Sequence, residues 1–298
     1  MQAKNKENWQ IRTDLAVELT ENLGKKRETR EEVEVEEGIT MEINGEEQVK
    51  ETVIRIKNEK GEKTLGKPCG CYITLEGEDL SAFDENYHEN VSQMLRKRLE
   101  KMLASYGHIL VVGLGNQQVT ADSLGPLVLQ NLHLTRHLKR EGLWEGERWI
   151  SGIAPGVMAQ TGMEAGEIVR ALVKEISPEV VLAVDALAAR NVQRLNRTIQ
   201  ISDTGIAPGS GVGNHRMELT EKTLGVKVIA IGVPTVISVP TLVSDALSPY
   251  LREGEELAIE DTMDPALAEM FVTPKNVDEA VKKISYTISE AVNQAVEA

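Results

Sequence analysis

Asp122 follows the aliphatic run Ile109-Leu110-Val111-Val112 through the turn Gly113-Leu114-Gly115-Asn116, and Asp185 directly follows Val180-Val181-Leu182-Ala183-Val184. Short aliphatic runs of this kind read as buried strands. In an open parallel sheet, ligands gather outside the carboxyl ends of the strands. If the two runs are neighbours, both carboxylates reach one rim. Two carboxylates a few ångströms apart cannot both ionise cheaply, so they share a proton. The ionised member can then take a proton from water while the protonated member polarises a peptide carbonyl. That suffices to hydrolyse an amide with neither metal nor covalent intermediate, and no cofactor is expected. Spacing alone nonetheless favours a plainer role: Asp122 capping a helix that starts at Ser123, and Asp185 capping one after it.

Two glycine loops surround these acids. Gly113, Gly115 and Asn116 form the first; the second, Pro208-Gly209-Ser210-Gly211-Val212-Gly213-Asn214, precedes a third aliphatic run. Backbone N–H groups in such loops can nest an oxyanion or a substrate backbone, although ordinary turns use the same residues. The first loop has Gln118 where a dinucleotide fingerprint needs its third glycine, and no Walker lysine follows. Asp203-Thr204-Gly205 matches the triplet of pepsin-like proteases, but it stands once and in an α/β context, so it reads as coincidence. His215 could join the two aspartates around a metal, yet a solvent-facing loop histidine is the simpler reading. Cys69 and Cys71 are too few to close a tetrahedral metal site and read as free thiols.

The elements that must position the acids follow from periodicity. Val91, Met94, Leu95, Leu99, Met102 and Leu103 recur at helical spacing, and helices are also expected near 123–132 and 166–176. Strands are expected at 109–112, 180–184 and 226–231. Strand–helix–strand order with aliphatic strands predicts a mostly parallel twisted α/β sheet with helices on both faces. Val277, Val281, Ile284, Ile288 and Val292 make one stripe of a closing helix. Alternation at 33–35, 39–43, 53–56 and 72–75 predicts a small antiparallel N-terminal sheet, with Asn44-Gly45 as a tight turn. Residues 1–24 are polar and read as loosely held.

Composition limits the partners. The 298 residues are 41% hydrophobic but only 3% aromatic, so the core is aliphatic. Lys and Arg total 33 against 47 Asp and Glu, a formal charge of −14. An acidic surface repels phosphate, and few aromatics are available to stack bases, so nucleic acid is not expected as a partner. No run of about 18 apolar residues occurs, so no membrane span is expected either. The reading is a cytoplasmic protein.

Several ordered segments resemble the spore germination proteases. They are VVGLGNQQVTADSLGPLVLQNLHLTRHL (111–138), APGVMAQTG (154–162), VDALAAR (184–190), IQISDTGIAPGSGVGN (199–214), VIAIGVPTV (228–236) and MFVTP (270–274). IRTDLAVE (11–18) matches as well, so the likeness runs over nearly the whole chain. It implies a core like that of hydrogenase maturation peptidases and an endopeptidase that degrades small acid-soluble spore proteins at germination. It further implies a homo-oligomer, a tetramer, in the spore core, made as a zymogen that removes its own propeptide. The catalytic pair matches Asp122 and Asp185, although the family has also been placed among metallopeptidases.

Family substrates are cut after the acid in motifs like Thr-Glu-Ile/Phe-Ala-Ser-Glu, which Thr13-Asp14-Leu15-Ala16-Val17-Glu18 imitates. The resemblance therefore implies cleavage between Asp14 and Leu15, with 1–14 a propeptide and 15–298 one peptidase domain carrying a β-rich subdomain at about 25–77. A pseudo-substrate near its own site would account for inhibition and self-processing together. Ala121 departs from the family's usual proline, and the chain is short between Leu251 and Met270.

Overall fold

The computed structural model describes residues 13–23, 32–46, 49–77, 85–209, 216–247 and 263–297. Its centre is a ten-stranded sheet. The parallel part comprises β5 (His108–Gly113), β6 (Trp149–Ile153), β7 (Val180–Ala189) and β9 (Lys227–Ser238), in the order β9-β7-β5-β6. β1 (Val33–Glu36), β2 (Ile39–Glu46), β3 (Val49–Ile56) and β4 (Gly70–Gly77) form an antiparallel meander. β8 (Thr198–Ser202) runs antiparallel to both β4 and β9, and so joins the meander to the parallel part in one continuous sheet. β10 (Phe271–Val272) pairs antiparallel with the end of β9.

Because side chains alternate along a strand, β7 divides its residues between two faces. Val180, Leu182 and Val184 join the core formed with helices Glu85–Leu103, Leu124–Gln130 and Val277–Glu297. Val181 and Ala183 point the other way, against helix Ala165–Ile176. Leu187 and Ala189 continue that second face into a separate cluster around Leu15, Ala16, Val17, Ile54 and Ile237. Asp185 has the same parity. It therefore sits on the second face, in the gap between two apolar clusters.

The sequence foresaw the aliphatic strands β5, β7 and β9 and both long helices. It did not foresee β6, β8 or β10, which are five residues or fewer and carry too little pattern to stand out. Asn44 and Gly45 are not the turn: they pair with Glu51 and Lys50 inside the β2–β3 ladder, which continues to Glu46 and Val49. The expectation of a loosely held N-terminus also fails for residues 13–23. Leu15 and Ala16 are wholly buried and Glu18 is 1% exposed. Burying a leucine side chain is worth roughly 1.5–3 kcal/mol, so a segment with few apolar residues can still be anchored by one of them.

The glycines of the first loop are explained by close approach. A Cβ on Gly125 would lie 2.4 Å from the Leu114 carbonyl oxygen and 2.5 Å from that of Val184. A Cβ on Gly113 would lie 2.3 Å from the Gly125 carbonyl oxygen. Helix Leu124–Gln130 thus rests directly on the strand ends. Gly125→Ala is expected to destabilise the fold by about 1–3 kcal/mol, the usual cost of overpacking. Gly45→Ala, whose Cβ meets nothing within 4 Å, should stay near wild type. Denaturant unfolding of both variants checks this.

Candidate active site

β5 and β7 are adjacent and parallel, with Gly113 opposite Val184, and the Leu114 N–H donates to the Val184 carbonyl at 2.8 Å. The loop that begins there returns through Asp122. Gly115, at φ 108°, makes this possible, because a Cβ would lie 2.0 Å from the Asp122 carbonyl oxygen. The Asp122 carboxylate accepts from the Asn116 N–H at 2.8 Å. The Asn116 side-chain oxygen in turn accepts from the Gln118 N–H and from the Gln160 amide. Thr235 on β9 donates its hydroxyl to the Ala121 carbonyl at 2.7 Å. These bonds hold the acid at the ends of three strands.

Neither aspartate is a helix cap. Ser123 precedes helix Leu124–Gln130, and Asp122 spends its carboxylate on the loop. Asp185 lies inside β7, which runs four residues beyond it, and its side chain accepts from the Ala186 N–H at 2.9 Å.

Both acids resist ionisation. Burial pushes Asp185 well above the usual carboxylate range, and the charges of Asp122 and Asp14 push it further in the same direction. Asp122 is also raised, chiefly by burial, with the Asn116 N–H and Arg216 opposing the shift. The charge of Asp122 thus bears on Asp185, as expected of carboxylates at one rim.

The third acid, Asp14, arrives from the N-terminus. Its N–H donates to the Ala188 carbonyl at 3.1 Å, and its carboxylate accepts from the Ala188 N–H at 2.9 Å. Its carbonyl oxygen accepts two bonds, from the Lys67 ammonium at 2.9 Å and from the Gln200 amide at 3.0 Å. Ala16 donates its N–H back to the Gln200 side-chain oxygen at 2.7 Å. Further along, the Glu18 carboxylate accepts from the Arg190 and Asn191 N–H groups, both at 2.8 Å, and from the Thr13 hydroxyl. Arg194 lies 3.6 Å away and also pairs with Glu21 and Glu76. Residues 13–18 thus lie along the strand ends, fixed by backbone bonds at one end and by a buried carboxylate at the other. A cavity of about 270 Å³ opens beside Asp14, lined in part by Lys67, Tyr72, Gln200, Thr204 and Gly232.

Of the residues singled out in the sequence, Asp122 and Asp14 both stand close enough to Asp185 for their charges to bear on it, while Leu15 packs into the apolar cluster with Leu187. Gly113, Gly115 and Asn116 shape the Asp122 loop, and the Asn116 N–H is already engaged. Gly209 sits in a turn at φ 73°. Ser210, Gly211, Gly213 and His215 lie outside the described residues. Asp203 accepts from the Cys71 N–H and braces β4 against the end of β8. Cys69 and Cys71 are free thiols. Among the described residues, no group of three His, Cys, Asp or Glu is arranged to hold a metal, and no helix is long and apolar enough to cross a membrane. Sequence reasoning missed Lys67 and Gln200. Gln200 left a faint signal, a polar residue within the strand Thr198–Ser202.

The buried carboxylate has a consequence for stability. A raised folded-state pKa means that Asp185 favours folding at acid pH, and that this contribution is lost as pH rises through the shifted value. Asp185→Asn removes the cost of ionising a buried group. It should raise the melting temperature by several degrees at neutral pH, with the gain shrinking towards pH 4. Thermal unfolding across pH measures this.

Residues 16–256 match the family model described as germination protease. The germination protease of Clostridium tetani is 41% identical over 96% of this chain and 95% of its own length. That of Caldanaerobacter subterraneus is 41% identical over 96% and 94%. That of Bacillus pumilus is 44% identical over 84% of this chain and 70% of its own. Among solved structures, the NiFe hydrogenase maturation protease HycI from Thermococcus kodakarensis covers 65% of this chain and 98% of its own. It does so at 17% identity and a TM-score of 0.35. On the family match and on identities above 40% over most of its length, the chain belongs to the germination protease family.

Proposed function

We propose that the chain is a zymogen of an aspartate-dyad endopeptidase that starts the breakdown of small acid-soluble spore proteins in the spore core, working as a homo-oligomer, a tetramer. The observation that carries this reading is the docking of Thr13–Glu18 against the coupled pair Asp122 and Asp185. Asp14, expected to precede the cut, stands close enough to Asp185 for its charge to oppose ionisation there, and Leu15 follows it. The docked sequence has the acid–apolar–small order of the family's substrates. It therefore reads as a pseudo-substrate that occupies the site until it is cut.

In the reaction, the ionised member of the pair takes a proton from a water molecule, whose oxygen attacks the Asp14 carbonyl carbon. The protonated member donates towards the peptide. Collapse releases the Leu15 amine and leaves the new carboxyl on Asp14, so one water is consumed and the pair regains its single proton. Burial of both acids, with the Asp122 charge adding to it at Asp185, keeps that proton bound to higher pH than an isolated carboxyl would. The alternative, metal-assisted hydrolysis of the hydrogenase-maturation type, would need a further ligand, for which His215 is the local candidate.

Three expectations follow for the processed protein acting on a small acid-soluble spore protein. Asp122→Asn and Asp185→Asn should each cut at least a thousandfold more slowly while keeping their fold. Chelator should leave the wild-type rate unchanged. Self-processing of the full chain should be faster at mildly acid pH and fall as pH rises and the shared proton is lost. A chelator-sensitive rate restored by metal would favour the alternative, and a rate flat from pH 4.5 to 8 would contradict the shared proton.

A further inference from the structure

We propose that Lys67 and Gln200 form the oxyanion hole, as catalytic residues that hold the scissile carbonyl oxygen; this rests on the reading that the Asp14–Leu15 bond is the one cut. The register of the sheet supplies the first argument. Asp185 on β7 and Gln200 on β8 both pair with Gly232 on β9. Residues paired across a ladder point to the same face, and neighbouring strands lie about 4.8 Å apart. The acid and the amide therefore face each other across a row about 10 Å wide. The middle position of that row has no side chain. The Leu187 side chain lies over it, 2.4 Å from where a Cβ would stand. The N-terminal segment spans the row: Asp14 pairs with Ala188 on β7, and its carbonyl reaches Gln200 on β8.

The donors supply the second argument. The Asp14 oxygen receives Lys67 Nζ at 2.9 Å and Gln200 Nε2 at 3.0 Å. The orientation of the Gln200 amide is dictated, since the Ala16 N–H can only donate and so must meet Oε1, which turns Nε2 towards Asp14. A glutamine holding both the carbonyl before the cut and the N–H beyond it fixes the peptide between them. Lys67 is half-buried, and desolvation holds its pKa below the usual lysine range while the Asp14 charge opposes that shift. A poorly hydrated ammonium gains most when negative charge develops beside it.

In the step, water oxygen bonds to the Asp14 carbon and its proton passes to the ionised aspartate. The carbonyl π pair moves onto the oxygen held by Lys67 and Gln200. When the carbonyl re-forms, the C–N bond breaks, and the Leu15 nitrogen takes the proton of the other aspartate. Lys67 keeps its proton throughout. With the oxygen held by these two groups, the acidic member of the pair is free to serve the leaving nitrogen.

The test is first-order self-cleavage of the full-length chain, followed by intact mass at several pH values. Wild type is compared with Lys67→Met, Lys67→Arg, Gln200→Leu and Asp185→Asn. Hydrogen exchange at the Leu15 and Ala16 amides reports docking in each. Lys67→Met and Gln200→Leu should slow cleavage by about 10²–10³-fold, with Leu15 exchange in Lys67→Met still protected and Lys67→Arg recovering part of the rate. Cleavage of Lys67→Met within threefold of wild type would overturn the proposal. Slowing that tracks lost protection of Leu15 would also overturn it, by making Lys67 a docking residue. If Asp185→Asn is inert while Lys67→Met is normal, the aspartate reading stands and only this inference falls. Asp185→Asn cleaving at the wild-type rate, or wild type staying intact at every pH, would remove the reading beneath it.

Discussion

A carboxylate set into the face of a sheet between two apolar clusters governs much of this structure. Asp185 has Val181 and Ala183 before it and Leu187 and Ala189 after it on the same face. Its ionisation is opposed by burial and by the acids brought against it. Such a position costs stability, and a fold retains it only where surrounding elements over-determine the geometry. Here they do. Gly232 leaves room for the Leu187 side chain beside Asp185, Gly113, Gly115 and Gly125 let the Asp122 loop close against the strand ends, and Thr235 fastens that loop to β9.

The N-terminal segment completes the arrangement. Residues 13–18 use backbone bonds to β7, the side chain of Gln200, and a carboxylate received by two N–H groups and Arg194. Leu15, Ala16 and Val17 are buried in an apolar cluster and Ala16–Thr20 forms a short helix, so polar bonds and apolar burial hold the segment together. The antiparallel meander matters for the same reason: the turn after helix Glu59–Leu65, at the start of β4, carries Lys67 to the Asp14 carbonyl.

The central strands and the acids they carry were legible because buried parallel strands leave unbroken aliphatic runs, and Asp122 and Asp185 end or follow such runs. Capping was favoured on spacing alone, and only the length of β7 and the Asn116 bond rule it out. Asn44-Gly45 misled because turn residues also fit inside a ladder when the hairpin continues past them. The anchoring of Glu18 was invisible to composition, since its carboxylate depends on partners 172 and 173 residues away. The pseudo-substrate reading came from resemblance to the family's substrates. Lys67 and Gln200 could not be found without the register that sets Gln200 opposite Gly232.

The most direct measurement is the N-terminal sequence of the chain after it has processed itself, taken beside Asp185→Asn carried through the same incubation. The account predicts a new terminus at Leu15 in the wild type and an intact chain in the variant. A terminus elsewhere, or a cut at Leu15 in Asp185→Asn, would contradict the claim that the docked bond is the one hydrolysed and that this carboxylate takes part.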